Sequence, residues 1–124
     1  TPCGTLFPYT TLFRSGRKLT AIDEKIGTPD GMTIDQEGNL WVALYGGSKV
    51  IQIDGDSGEM LDEIKVPAPH VTSCTFGGKD FKTLFITTAR ENMTEAQLKE
   101  YPESGSVFAA ALKVGGKAAN FYAV

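Results

Sequence analysis

The fold is decided by residues 28–45, TPDGMTIDQEGNLWVALY, where a tight turn leads into two short strands. Before a Gly- and Asn-containing run, Met32 and Ile34 alternate with Thr33 and Asp35. After it, Leu40, Val42 and Leu44 alternate with Trp41, Ala43 and Tyr45, and this pattern predicts a β-hairpin. Pro29 fixes its own φ and keeps the residue before it out of the helical region. Gly31 has access to backbone angles that other residues avoid. Asp30, between them, is therefore predicted to be a preorganised carboxylate.

The hairpin belongs to a unit that occurs twice. Strands of the first unit are predicted at residues 31–34, 40–45, 49–54 and 59–66, preceded by a strand at 18–22. Strands of a looser second unit are predicted at residues 71–76, 84–89, 106–112 and 118–124. The second strands are offset by 44 residues. Because a four-stranded repeat of about 40–45 residues is typical of a β-propeller blade, the predicted fold is all-β, with two antiparallel blades of an incomplete ring.

The second unit carries an insertion at residues 90–105. Thr94 and Gln97 have the spacing of a capping box, and they predict a short helix at residues 95–101 that ends at Pro102. The triplet Asn92-Met93-Thr94 matches a glycosylation sequon. Without a secretory signal, the expected role of Thr94 is the helix cap.

Composition excludes several classes of protein. The chain has 124 residues, enough for one domain. Its net charge is −3, its pI is near 5.1 and its basic residues are scattered, so no nucleic-acid partner is expected. No apolar run approaches the roughly 18 residues of a membrane span, and the signal-peptide pattern is absent. A soluble, cytoplasmic protein without a membrane partner is expected. Cys3 and Cys74 form no metal or disulfide pattern.

Residues 1–15 differ from the rest of the chain. TLFPYTTLFRS, residues 5–15, resembles the in-frame translation of a common short-read sequencing adapter. Residues 1–15 are therefore predicted to be a non-biological segment, and residues 16–124 the partial propeller. The alternative is an ordinary β-strand, because Phe, Tyr and Thr favour strands.

The motifs PDGMTID, GNLWVALY, GSKVIQID, VTSCTFGG, LFITTA and SGSVFAAAL resemble the C-terminal third of the regucalcin (senescence marker protein) and gluconolactonase family. The resemblance implies a six-bladed β-propeller that hydrolyses a sugar lactone to an aldonic acid, a carboxylic ester hydrolase. It also implies that Asp30 is a catalytic residue and one of three protein ligands to a divalent metal, Ca²⁺, Zn²⁺, Mg²⁺ or Mn²⁺. In this family the metal polarises the lactone carbonyl and activates water.

The match to the family pattern is incomplete. The family's Glu and Asn metal ligands and its substrate-orienting residues lie in earlier blades. The 124-residue sequence does not include those blades. Because one carboxylate binds a divalent ion weakly, the isolated chain is expected to be inactive. Two blades with uncovered flanks are also expected to be marginally stable. The alternative function is a non-catalytic, calcium-binding regulatory propeller. For Asp30 itself, the alternative is a turn residue that bonds to its own backbone.

Acidic residues at 54–59 invite comparison with a calcium loop. Asp54 and Asp56 have suitable spacing, but Gly58 stands at the fifth ligand position, and Glu59 replaces the glycine required at the sixth. A solvated hairpin turn is therefore expected.

The remaining candidates each have two interpretations. Trp41 and Cys74 are expected in the core rather than in a stacking platform or a reactive site. His70 is expected to be a loop residue, since no partner for catalysis is near it in the sequence. Thr72 and Ser73 stand where a propeller lines its channel, so substrate contact and a role in the strand ladder both remain open.

Overall fold

The computed structural model describes residues 9–14 and 17–118. Within these ranges the strands are β1 (Tyr9–Arg14), β2 (Arg17–Asp23), β3 (Thr28–Ile34), β4 (Leu40–Tyr45), β5 (Lys49–Ile53), β6 (Met60–Lys65), β7 (Val71–Gly77), β8 (Thr83–Thr88) and β9 (Val107–Ala111). Helix α1 spans Glu95–Glu100, and a 3₁₀ turn spans Glu24–Ile26. No helix in the described part of the chain is long and apolar enough to cross a membrane.

The strands pair in three antiparallel sheets within the described ranges. The first blade, residues 28–65, has the strand order β3-β4-β5-β6, and the second blade, residues 71–111, has the order β7-β8-β9. This arrangement confirms the predicted all-β fold and the four strands of the first blade. Of the strand predicted at 118–124, residues 119–124 lie outside the described residues.

Strand β1 lies in the segment predicted to be adapter-derived. It pairs with β2 in a two-stranded sheet, from Tyr9 opposite Asp23 to Arg14 opposite Arg17. Residues 9–14 thus adopt the strand that was the alternative interpretation. Strand pairing does not test the origin of the segment, so its non-biological origin stays a prediction. Residues 1–8 and 15 lie outside the described residues.

Two hydrophobic clusters cover the two faces of the first blade. On one face, residues of both blades form a joint core: Trp41, Ala43, Val50, Val66, Ala68, Val71, Cys74, Phe76, Leu84 and Ile86. On the other face, the β1-β2 sheet packs Leu12, Leu19 and Ile22 against the blade. Strand β4 is consequently buried on both sides, which agrees with its continuous apolar sequence, LWVALY.

Trp41 and Cys74 are core residues, as predicted. Trp41 is 2% exposed and meets Phe76 edge to face, with ring centroids 6.2 Å apart and planes at 86°. Cys74 donates a hydrogen bond to the Trp41 carbonyl oxygen over 3.3 Å. Burial, the main cause, raises the pKa of the Cys74 thiol to about 12. The thiol therefore stays protonated and unreactive near neutral pH.

Helix α1 has the predicted capping box. The Thr94 hydroxyl accepts from the Gln97 backbone N–H at 3.2 Å, and the Gln97 side chain accepts from the Thr94 N–H at 2.9 Å. The helix ends at Glu100, one residue before the predicted end. Thr94 is therefore the helix cap, as expected.

Candidate functional site

The first strands of the two blades, β3 and β7, lie side by side, and each contains a β-bulge. In β3, Pro29 pairs with Leu44 and Met32 with Val42, so two residues of β3 face one residue of β4. In β7, the shift lies between Val71 and Ser73. Because their partners on β4 and β8 correspond in the repeat, the two bulges occupy equivalent places. A bulge re-aims side chains and commonly lies beside a functional site.

Asp30 is one of the two residues in the β3 bulge. Its side chain is exposed, and within the described part of the chain its carboxylate makes no hydrogen bond or ion pair. An anionic oxygen ligand that is held by the backbone and is not used by the protein is available to a cation or to a polar substrate. The structure places Asp30 in a bulge with an exposed side chain, and its role as a preorganised ligand stays a prediction.

Gly31 is required for a steric reason, which corrects the prediction. The glycines with positive φ in the described chain do not include Gly31, so its backbone does not need left-handed angles. A Cβ atom built on Gly31 would lie 2.2 Å from Ser73 Oγ, 2.6 Å from Ser73 Cβ and 2.9 Å from Ser73 Cα. The glycine thus lets β3 approach β7 at the bulge, a contact between blades that a local pattern does not reveal.

Gly31→Ala is expected to destabilise the 124-residue chain by about 1–3 kcal/mol, the usual cost of overpacking. Rotation of the Ser73 side chain cannot relieve the contact with its Cα, so the strands must separate. Urea unfolding followed by the fluorescence of the single tryptophan measures the effect. Adding Ser73→Gly removes two of the three close contacts and should restore about half of the loss.

Gly115→Ala is the matched control, because the added Cβ would meet the end of the flexible Gln36 side chain at 3.3 Å and the Phe81 carbonyl oxygen at 3.5 Å, without a contact under 3.0 Å. A Gly31→Ala chain that is as stable as the Gly115→Ala chain would show that the blades do not approach as described.

The threonines of the second blade are engaged in the strand ladder. Thr72 Oγ1 lies 2.8 Å from Thr87 Oγ1, and Thr87 Oγ1 also donates to the Ser73 carbonyl oxygen at 3.4 Å. Thr72 thus has the ladder role that was one of its two interpretations. The hydroxyl of Ser73 has no hydrogen-bond partner among the described residues.

Asp35 is a buried carboxylate that the sequence interpretation missed. It is fully buried and accepts four hydrogen bonds: from the backbone N–H groups of Glu37 (2.9 Å) and Asn39 (3.0 Å), from Trp41 Nε1 (3.0 Å) and from Gln52 Nε2 (3.2 Å). The first two are local turn bonds, which an Asp before a Gly-Asn turn favours. The side-chain bonds depend on the pairing of β4 with β5. Every bond lies within the first blade, so Asp35 is a structural residue.

His70 lies at the end of the connection between the blades, as expected for a loop residue. Its ring stacks on Tyr45, with centroids 4.1 Å apart and planes at 7°, and an isolated bridge joins the two residues. The Tyr45 hydroxyl donates to the Glu91 carbonyl oxygen and accepts from Asn92 Nδ2, each at 3.4 Å. These contacts attach the insertion of the second blade to the first blade, beside the start of β3, where Thr28 pairs with Tyr45.

The acidic residues at 54–59 lie in the hairpin between β5 and β6, as expected. Asp54 Oδ1 accepts from the N–H groups of Asp56 and Ser57, both at 2.8 Å. These bonds, with the one from Ser57 the larger cause, lower the pKa of the Asp54 carboxyl. Its charge therefore stabilises its own turn.

The described residues do not form a complete metal site by themselves. They contain no group of three or more His, Cys, Asp or Glu side chains that could hold a metal ion together. The free carboxylate of Asp30 fits a single ligand to a hard divalent cation, but it does not complete a site. Any further ligands would have to come from outside these residues.

Repeated antiparallel sheets that meet along their first strands define the chain as part of a β-propeller. The SMP-30/Gluconolactonase/LRE-like region matches residues 7–90, and the chain belongs to this family. In solved structures, it is similar to regucalcin, described as a calcium-binding protein, from Agrobacterium tumefaciens, with a TM-score of 0.78, 27% identity, and coverage of 97% of this chain and 44% of that one. A luciferin-regenerating enzyme has a TM-score of 0.66 and 32% identity, over 89% of this chain and 39% of the other. These neighbours are six-bladed propellers.

Curated relatives give the same family. A Bacillus subtilis protein named "Putative sugar lactone lactonase YvrE" is 55% identical over 94 residues, which are 76% of this chain and 32% of that protein. Regucalcin of Oryctolagus cuniculus is 41% identical over 92 residues, 74% of this chain and 31% of its own length. The chain thus spans about a third of the length of the curated relatives that it matches.

Proposed function

We propose that this chain is the C-terminal part of a sugar lactonase, which hydrolyses an aldonolactone to the aldonic acid, and that Asp30 is its catalytic carboxylate and a metal ligand. The observation that carries the proposal is the exposed carboxylate of Asp30, which has no partner among the described residues and lies on a bulge where the first strands of two blades meet. Family membership supports the substrate class, because a 55% identical relative is named for sugar lactones.

The proposed reaction is hydrolysis without redox change. The oxygen of water bonds to the lactone carbonyl carbon, the bond from that carbon to the ring oxygen breaks, and the ring oxygen leaves with a proton as a hydroxyl group. When bound, a divalent ion (Ca²⁺, Zn²⁺, Mg²⁺ or Mn²⁺) would supply electrophilic assistance to the carbonyl. Asp30 contributes a fixed negative charge at the reaction centre. Because the other ligands are outside the described residues, the isolated chain is proposed to be inactive.

A graft tests this function. Residues 17–118 of this chain replace the matching segment of the Bacillus subtilis relative, and acid release is measured with a panel of aldonolactones. The graft is expected to hydrolyse at least one of them at a rate within about tenfold of the unmodified relative, a difference of about 1.4 kcal/mol in barrier. EDTA should abolish the activity, and the four divalent ions added singly should identify the metal.

The isolated 124-residue chain serves as the comparison and should release no acid above background. A graft with the circular dichroism and melting temperature of the unmodified relative, but without hydrolysis of any lactone, contradicts the enzyme. Calcium binding by such an inactive graft would favour the regulatory propeller instead.

A further inference from the structure

Ser73 lies at the junction between the blades, against Gly31, the residue that follows Asp30 in the β3 bulge. The close approach of Gly31 to Ser73 places the Ser73 hydroxyl against the backbone of the residue next to Asp30. Ser73 is partly exposed, and its hydroxyl makes no hydrogen bond to the described residues. A neutral group that donates and accepts hydrogen bonds thus lies on the neighbouring blade, against the residue next to Asp30.

The surrounding contacts hold Ser73 in place without using its hydroxyl. The Ser73 carbonyl oxygen accepts from Thr87 Oγ1, and Ser73 itself pairs with Thr87 in the ladder. Thr72, in contrast, uses its hydroxyl on Thr87 at 2.8 Å. Of these two neighbouring hydroxyls, only that of Ser73 has no partner among the described residues and is available to a ligand.

We propose that Ser73 is a substrate-binding residue that recognises a hydroxyl group of the lactone and makes the site selective for polyhydroxylated lactones. The inference rests on the proposed function and deepens it. A sugar hydroxyl is both a hydrogen-bond donor and an acceptor, so it complements the serine hydroxyl. With a lactone that has no hydroxyl groups, the Ser73 hydroxyl would hydrogen-bond to water and not to the substrate. Asp30 acts on the ester group in either substrate, but Ser73 contributes only to the hydroxylated one.

The test uses the graft with Ser73→Ala and two lactones of equal ring size, D-glucono-δ-lactone and δ-valerolactone. KM for the sugar lactone should rise roughly threefold to tenfold, the loss of affinity expected when one hydrogen bond to the substrate is removed. The value of kcat should change less than about twofold. Kinetics with δ-valerolactone should not change. Ser73→Thr keeps the hydroxyl and should restore most of the affinity. Thr75→Ala, an exposed position two residues along β7, is the control and should resemble the unaltered graft.

The remaining outcomes separate the two proposals. If Ser73→Ala leaves both lactones unaffected, or impairs both equally, while Asp30→Asn abolishes both activities, the subsite is overturned and the lactonase stands. If the graft hydrolyses neither lactone, or if Asp30→Asn stays fully active, the proposed function fails and the subsite fails with it.

Discussion

Asp35→Ala is expected to lower the free energy of unfolding of the 124-residue chain by about 3–5 kcal/mol, because several hydrogen-bond donors lose their shared acceptor. Alanine leaves four donors without their acceptor: two backbone N–H groups, Trp41 Nε1 and Gln52 Nε2. Each buried donor that loses its partner costs about 1–3 kcal/mol, and relaxation and water entry recover part of the sum. The affected turn and strands β4 and β5 form the centre of the first blade, so the loss should reach the whole blade.

Urea unfolding monitored by far-ultraviolet circular dichroism measures the effect, because Trp41 fluorescence would change with its own hydrogen bond. Asp35→Asn keeps one carbonyl oxygen for the two turn bonds but turns an amide toward the Trp41 and Gln52 donors, so a smaller loss of about 1–3 kcal/mol is expected. Asp30→Ala is the control, since an exposed carboxylate without partners should contribute almost nothing. Equal midpoints for Asp35→Ala and Asp30→Ala would refute the structural role of Asp35.

Features of the fold that depend on local alternation were predicted correctly. The hairpin of β3 and β4, the four strands of the first blade and the capping box of α1 each follow from side chains that are close in sequence. Asp35 was missed because alternation makes it one more polar residue before a turn. Its burial depends on Gln52, 17 positions away, and on Trp41, whose ring is enclosed by both blades.

The candidate site was also predicted only in the features that depend on residues close in sequence. The turn around Asp30 was visible in the sequence, because Pro29 restricts the chain locally. The bulge was not visible, since it requires the register of β3 against β4. The reason for Gly31 was misjudged because the Ser73 contact joins two blades whose packing no single strand pattern encodes.

Asp30→Asn is expected to reduce kcat/KM of the graft for a sugar lactone by about 10²–10³-fold, the usual effect of removing one electrostatic contribution to a transition state. Asparagine preserves the size of the side chain and one oxygen, so the loss isolates the negative charge. Because the Asp30 side chain is exposed and pairs with none of the described residues, the melting temperature should be unchanged. An unchanged kcat/KM in a stable graft would show that the catalytic carboxylate lies elsewhere.

Asp80→Asn is the matched control for the Asp30 substitution. Asp80 is an exposed carboxylate in the turn between β7 and β8, where it accepts a hydrogen bond from the Lys82 N–H at 3.2 Å, and an asparagine oxygen can keep that bond. The same loss of charge is therefore made at a site away from the bulge, and activity should be retained. If both variants lost activity equally, the effect would come from net charge and not from Asp30.

Metal titration distinguishes the two roles proposed for Asp30. If the carboxylate is a metal ligand, Asp30→Asn weakens binding of the ion, and raising the metal concentration should restore part of the lost activity. If it acts on substrate or water without binding the ion, the metal concentration that gives half of the maximal rate should stay the same while the maximal rate falls. Asp30→Glu adds the discriminating case, because it keeps the charge but moves it by one methylene. A ligand tolerates that shift when the coordination is flexible, as for Ca²⁺, and tolerates it poorly for the strict octahedron of Mg²⁺.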